Sequence, residues 1–297
     1  MLDALADAWP EVRRTFEEAS DALGQNLWQL VSQGPKDDLD RTENTQPAML
    51  TAGIAVWRVW QQAGGPSPAL MAGHSLGEYA ALVAAGAMSF TDGVRLAADR
   101  ARFMQEAVPA GEGAMAAVLG LTDEQVIALC AEQAQGEVLS AVNFNSPGQI
   151  VIAGTSAAVA RAITAAKSAG AKRALPLPVS VPSHCDLMRP AAERLAERLA
   201  DVPLTLPPVP VIHNASVTAA DSVEMLRERL VQQLYSPVRW VETVQAVTRQ
   251  GIGTALECGP GKVLAGLCKR IDDNLTTLPV YDPKTLDAAL ETTHAER

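Results

Sequence analysis

The chain has 297 residues, 48% hydrophobic and 20% charged, enough to bury a large core and to hold a cleft in one big domain or two. Its net charge of −10 argues against nucleic acid as a partner. Asp3, Asp7, Glu11, Glu17 and Glu18 exclude a signal-peptide apolar core near the start, and no apolar run approaches the ~20 residues needed to cross a bilayer. Cys130, Cys185, Cys258 and Cys268 form no C-x-x-C pair and no zinc spacing, so a reducing, cytoplasmic setting without a metal is expected.

In chain order, the first expected helix covers 6–19. Residues 69–72 are a short apolar run suited to a buried strand, and 78–88 are rich in helix formers. Gly73-His74-Ser75-Leu76-Gly77 therefore falls where strand becomes helix, the setting in which Gly-x-Ser-x-Gly acts as a nucleophile turn. Glycines at 73 and 77 leave room for a sharp bend that lifts the Ser75 hydroxyl out of the sheet. The Leu76 N–H opens a helix and points toward a developing oxyanion. The plainer alternative is a chance glycine-serine turn ahead of a helix.

Residues 91–106 read as an amphipathic helix in which Arg100 stands on the wrong face. Its neighbours three and four residues away are Leu96, Ala97, Phe103 and Met104, all apolar, whereas Arg95 and Arg102 face Asp92, Asp99, Gln105 and Glu106. A buried cation is costly unless something anionic satisfies it. An inward arginine shortly after a nucleophilic serine points to an acyl substrate that carries a carboxylate.

The next segments alternate as strand 113–119, helix 122–133, strands 138–143 and 149–153 around an Asn145-Ser146-Pro147-Gly148 turn, helix 156–169 and strand 172–179. That order, β-α-β-β-α-β, is the ferredoxin-like unit. Beyond it, Val179-Ser180-Val181 reads as an apolar strand broken at Pro182, with Ser183-His184-Cys185 in the loop before a helix from about residue 186. A base in such a loop sits on a rigid mount. His213, at the end of a strand-like run, reads as a satisfied core or rim histidine, and a lone histidine of either kind is more often structural. Short strands are expected at 209–212 and 254–258, and the tail after Asp282 reads as peripheral.

Together these residues resemble the malonyl-CoA:acyl-carrier-protein transacylases of type II fatty acid synthesis. The resemblance runs through almost the whole chain. It rests on Thr45-Gln46-Pro47-Ala48, Gly73-His74-Ser75-Leu76-Gly77-Glu78-Tyr79, Arg100 with Phe103-Met104-Gln105, Gly113-Ala114-Met115, Asn143-Phe144-Asn145-Ser146-Pro147-Gly148-Gln149, Pro182-Ser183-His184 and Glu257-x-Gly259-Pro260-Gly261. It implies an α/β-hydrolase-like core with a parallel sheet, formed by 1–112 and 181–297, and an inserted ferredoxin-like subdomain at 113–180. It further implies Ser75 as nucleophile, His184 as base, the Leu76 N–H as oxyanion donor and a backbone carbonyl near Gln233 orienting the histidine. Arg100 would clamp the malonyl carboxylate, with Met104, Met115 and Asn145 in the substrate pocket. Coenzyme A enters only as the substrate thioester, without cofactor or metal. Malonyl-CoA and acyl carrier protein are the implied partners of a cytoplasmic monomer, with Lys172, Arg173, Lys262, Lys269 and Arg270 as candidate basic contacts for the carrier.

One departure sets a further expectation. Chains of this family begin with a buried strand and a Pro-Gly-Gln-Gly-Ser-Gln loop, and a glutamine N–H of that loop supplies half of the oxyanion hole. This sequence opens at Met1-Leu2-Asp3, directly in its first helix. The sheet position beside the Ser75 strand is therefore expected to be empty and one oxyanion donor to be lacking. Two alternative readings follow: a catalytically impaired module that still binds carrier protein, and a serine esterase or thioesterase sharing the same turn.

Overall fold

The computed structural model describes residues 1–179 and 181–295; Ser180, within the strand expected at 179–181, and Glu296 and Arg297 lie outside the described residues. The helix expected at 6–19 is two helices, Asp3–Ala8 and Pro10–Leu23. Trp9 between them is extended, with φ −128° and ψ 102°, and Pro10 opens the second helix, where its missing N–H costs nothing. The second helix lays Val12, Phe16 and Ala19 against the 21-residue helix Thr42–Gln62, which also packs on Phe90–Ala107 and Leu76–Ala84. The long helix is buried through Ala48, Leu50, Ala52, Ile54, Ala55, Val56 and Val59, small and branched side chains that allow neighbours on several sides.

Eight strands occur among the described residues: β1 (Met71–Ala72), β2 (Gly113–Leu119), β3 (Leu139–Ser146), β4 (Gln149–Thr155), β5 (Arg173–Pro176), β6 (Val211–Ile212), β7 (Thr254–Cys258) and β8 (Thr276–Val280). β1 pairs parallel with β6, and β7 parallel with β8. No described strand lies on the other side of β1 or of β7, and both line one apolar cavity of about 520 Å³ walled by Trp57, Trp60, Trp240, Val244 and Leu264. Among the described residues the parallel layer thus consists of two separate pairs.

The other sheet is antiparallel, in the order β3-β4-β2-β5, with full register between β2 and β4 from Gly113↔Thr155 to Leu119↔Gln149. Helices Asp123–Ala134 and Ser156–Ser168 cover one face, burying Val126, Leu129, Val159 and Ala162 on Val118, Ile150 and Ile152. This is the ferredoxin-like arrangement. Thr122 caps the first of these helices in a reciprocal box with Gln125. β5 stops at Pro176 rather than at 179, because Pro178 has no N–H to continue a ladder. Val179 and Val181 are not in a strand, which corrects that reading for these two residues.

The tail after Asp282 is not peripheral. Helix Pro283–Ala295 buries Leu286, Ala289 and Thr293, and the first two belong to the main core. Their spacing, continued by Leu290, is that of one helical face, obscured in the sequence by the threonines and acids around it. No helix among the described residues is long and apolar enough to cross a membrane.

Candidate active site

β1 ends at Ala72, and the helix Leu76–Ala84 begins three residues after Gly73, so the backbone must reverse within His74 and Ser75. Ser75 takes φ 51° and ψ −110°, a conformation that L-residues rarely adopt and that concentrates at functional sites. A Cβ at residue 73 would lie 1.9 Å from the Gly77 carbonyl carbon, so the bend needs glycine there. At residue 77 a Cβ would meet nothing within 4 Å, so the second glycine is not what makes room. The Leu76 N–H is the first of the helix, where no intrahelical acceptor exists, and it remains a donor at the turn.

His184 lies 2.8 Å from Ser75 Oγ through Nε2. Its mount is the C-terminal end of helix Val223–Gln233, where carbonyls lack helical partners. The Gln233 carbonyl accepts from His184 Nδ1 at 2.8 Å, and the Leu234 carbonyl accepts from the His184 N–H at 3.0 Å. With Nδ1 as the donor, Nε2 is left free to accept the serine proton. Burial first, and then the nearby Arg100 cation, push the His184 pKa down to about 3, so the ring is neutral at pH 7. The negative end of the helix dipole beneath it favours the imidazolium that forms once the proton arrives.

That depression has a sign for stability. Below the ordinary value of 6.5 the unfolded chain takes up a proton at His184 that the folded chain refuses until about pH 3, so the contribution is full above 6.5 and is lost on acidification. Between pH 7 and 5, urea unfolding of the wild type should lose about 2 kcal/mol more than that of His184→Gln. Equal losses would mean that the folded protein protonates His184.

Arg100 is only 1% exposed, as the helix pattern required, while Arg102 pairs with Asp99 on the surface. Its Nη1 donates to Gln46 Oε1 at 2.6 Å, and its Nη2 to Gln233 Oε1 at 3.0 Å and to Ser75 Oγ at 3.3 Å. The guanidinium lies over the Tyr79 ring, 5.2 Å from its centroid. All these partners are neutral, and Nε has none among the described residues. A buried guanidinium held by neutral groups beside a serine leaves a full positive charge for a ligand to match.

The other expected residues separate. Met104 packs beside this group, its Sδ 3.8 Å from Gln46 Nε2. Met115 lies in a different apolar cluster, with Val142, Val151 and Cys185. Asn145, at the end of β3, meets His74 Nε2 at 2.7 Å and so ties the antiparallel sheet to the serine turn. The basic candidates Lys172, Arg173, Lys262, Lys269 and Arg270 are all exposed, and Arg270 also donates to Ser146 Oγ and Gln149 Oε1. Among the described residues no group of three or more His, Cys, Asp or Glu side chains is placed to hold a metal.

Sequence reasoning missed four neighbours. Gln46 and the Gln233 side chain position Arg100, and Gln233 Nε2 also donates to the Ser75 carbonyl at 3.0 Å. Asn214 accepts from the Ser75 N–H at 2.7 Å through Oδ1 and donates to the Gly73 carbonyl at 2.7 Å through Nδ2. Glu78, fully buried, meets His213 Nδ1 at 2.7 Å and accepts from the Asn214 N–H at 2.8 Å. The reading of His213 as a satisfied core histidine holds. The only signal for Glu78 was a carboxylate on a helix whose other residues are apolar or small. The 520 Å³ cavity touches Gly73 and Gly77 from the β1 side, but neither Arg100 nor His184 lines it.

Residues 2–280 match the model of the acyl transferase domain. The chain is 56% identical to the malonyl CoA-acyl carrier protein transacylase of Salmonella typhimurium over 290 residues, covering 98% of this chain and 94% of that one. With the enzyme of the same name from Bacillus subtilis it shares 46% identity over 290 residues, 97% of this chain and 90% of the other. Among solved structures, the malonyl CoA-acyl carrier protein transacylase of Coxiella burnetii superposes with a TM-score of 0.97 at 49% identity, covering 98% of this chain and 92% of that one. A malonyl-transacylase in complex with a type II PKS acyl-carrier protein also gives 0.97, at 55% identity and with 98% and 94% covered.

Proposed function

The chain belongs to the acyl transferase family, among the malonyl CoA-acyl carrier protein transacylases, and on that premise we propose how its own residues carry the malonyl group. It is an S-malonyltransferase of fatty acid biosynthesis that moves malonyl from coenzyme A to the phosphopantetheine thiol of acyl carrier protein. His184 Nε2 takes the Ser75 Oγ proton as the oxygen attacks the thioester carbonyl. The Leu76 N–H faces the oxyanion that results. The tetrahedral adduct collapses by breaking the C–S bond, and the departing sulfur takes the proton from His184, leaving malonyl-O-Ser75. The carrier thiol then gives its proton to His184 and attacks the ester, and the proton returns to Ser75 Oγ as the C–O bond breaks.

A single observation carries the malonyl assignment: the Arg100 guanidinium is buried, has neutral partners only, and reaches Ser75 Oγ. A free carboxylate on the acyl chain supplies the missing anion, and the planar fork of arginine pairs with both of its oxygens. Met104 borders this pocket, and Asn145 reaches the serine turn from the antiparallel sheet through His74; we keep Met115, buried with Val142, Val151 and Cys185, only as a candidate for the pocket wall. We take the chain to divide into 1–112 with 181–297 and 113–180, with the site between these two parts. The steps use no cofactor or metal, and we place the enzyme in the cytoplasm as a monomer.

An esterase reading is disfavoured because His184 is oriented by a backbone carbonyl rather than a carboxylate, and because it leaves Arg100 without a task. An impaired binding module would have no need of an assembled Ser75–His184 contact. Initial rates with malonyl-CoA and holo carrier protein test the proposal. Parallel double-reciprocal lines are expected for a ping-pong exchange; intersecting lines, or release of free malonate without carrier malonylation, would overturn it.

A further inference from the structure

The rare conformation of Ser75 needs restraint, and its own flanking sequence supplies only part of it. The turn has two hydrogen bonds of its own, from the Gly77 N–H to the His74 carbonyl at 2.9 Å and from the Glu78 N–H to the Ser75 carbonyl at 3.0 Å. The first holds the carbonyl of the peptide that enters Ser75, but neither holds that peptide's N–H. Asn214 does so from across the sheet. One side-chain amide accepts from the Ser75 N–H and donates to the Gly73 carbonyl, both at 2.7 Å, bridging the two ends of the bend. The orientation of the amide is fixed, since only Oδ1 can meet an N–H and only Nδ2 a carbonyl.

Asn214 is itself immobilised. It is 1% exposed, lies two residues after the end of β6, which pairs with β1, and its N–H is gripped by Glu78 Oε2 at 2.8 Å. Its carbonyl accepts from the Arg239 N–H at 3.2 Å. Glu78 sits one turn into the helix that Ser75 opens, and His213 Nδ1 holds its second oxygen. The ring of contacts thus closes on the serine: turn to Asn214, Asn214 to Glu78, and Glu78 back to the helix of the turn.

We propose that Asn214, braced by Glu78 and His213, is the positioning residue of the nucleophile, fixing the Ser75 backbone so that Oγ meets His184 and the Leu76 N–H faces the oxyanion. The proposal rests on Ser75 being the nucleophile. It has a second consequence: with the Ser75 N–H committed to Asn214, that N–H is not an oxyanion donor, and the task falls to Leu76. Misplacing a reacting atom by about an ångström typically costs about 10²-fold in rate without weakening the binding of the remote parts of a substrate.

The test is the rate of Ser75 malonylation in a single turnover, followed by quenched intact-protein mass, for Asn214→Ala and Asn214→Asp. Asn214→Ala should slow acylation by about 30–100-fold while the malonyl-CoA concentration at half-maximal rate stays within threefold. Asn214→Asp separates positioning from packing. Ionised, it cannot donate to the Gly73 carbonyl; protonated, it again has one acceptor and one donor in the same places. The groups facing this side chain are Glu78 from the turn helix, the adjoining His213, Arg239 from the segment before helix Trp240–Thr248, and His184 and Arg100 beyond Ser75.

Burial beside Glu78 raises the aspartate pKa, so the variant should be slowed about 30-fold or more at pH 8 and return to within fivefold of wild type at pH 5.5. Wild type should stay nearly flat over that range, because His184 is neutral throughout. Acylation of Asn214→Ala within threefold of wild type, or an Asn214→Asp variant folded by circular dichroism but with no acid recovery, would overturn the proposal. If Asn214→Ala does not fold, the pH profile of the isosteric Asn214→Asp decides alone. A Ser75→Ala control that still gains the malonyl mass would instead refute the nucleophile assignment, which keeps the two failures apart.

Discussion

Replacing Ser75 with alanine is expected to lower malonyl transfer by about 10⁴-fold or more and to erase the covalent malonyl adduct of the intact protein. The reason lies in the 2.8 Å contact with His184 Nε2, which makes the serine oxygen the only atom at the turn with a base in place. His184→Ala should fall by a similar factor, and the double variant little further, because the two act as one unit. Intact mass after mixing with malonyl-CoA, followed by peptide mapping, reads the result. Cys185, the residue after His184, is a competing nucleophile to be considered. Its thiol is buried, donates to the Pro182 carbonyl at 3.2 Å, and is pushed up to about 11 by burial, so it stays protonated and unreactive. An adduct that survives in Ser75→Ala, or maps to Cys185, would remove Ser75 from the mechanism.

The parts of this site that the sequence announces are those whose constraint is local. Residues 73–77 carry their own geometry, because strand, glycine and helix former must follow one another for the bend to exist. Arg100 announces itself through its helical neighbours, which are all apolar, and the antiparallel sheet through alternation and turns confined to one stretch of chain. What holds these pieces in place is written elsewhere. Gln46 is a polar residue near the start of a helix and Asn214 a polar residue after a strand; nothing within ten residues of either distinguishes it from an ordinary cap or loop side chain. Their partners lie 54 and 139 residues away in the chain. Gln233 was identified for its carbonyl, yet its amide grips both Arg100 and the Ser75 carbonyl. The amphipathic face of 286–293 was present in the sequence and outweighed by its polar content. Burial of a helix depends on the one face that packs, whatever the composition of the rest.

The second large effect concerns choice of substrate. Arg100→Ala is expected to lower malonyl transfer while raising the use of acetyl-CoA relative to malonyl-CoA. In the wild type the guanidinium is buried at the cost of its hydration, and its neutral partners Gln46 and Gln233 compensate only part of that loss. Malonyl brings a carboxylate that completes the compensation, whereas acetyl would leave the cation unmatched behind a methyl group. A charge-assisted pair is worth about 1.5–3 kcal/mol, so roughly 10–100-fold in kcat/KM for malonyl-CoA is at stake. Alanine removes the penalty on acetyl together with the benefit to malonyl, so the ratio moves further than either rate alone. Arg100→Lys should fall between: it restores the charge but cannot span both carboxylate oxygens or replace the bonds to Gln46 and Gln233 together. Competition between the two thioesters for one enzyme sample, with carrier products resolved by mass, measures the ratio directly. An equal fall for both donors would show that Arg100 merely supports the fold around Gln46 and Gln233, and the carboxylate would then need another partner.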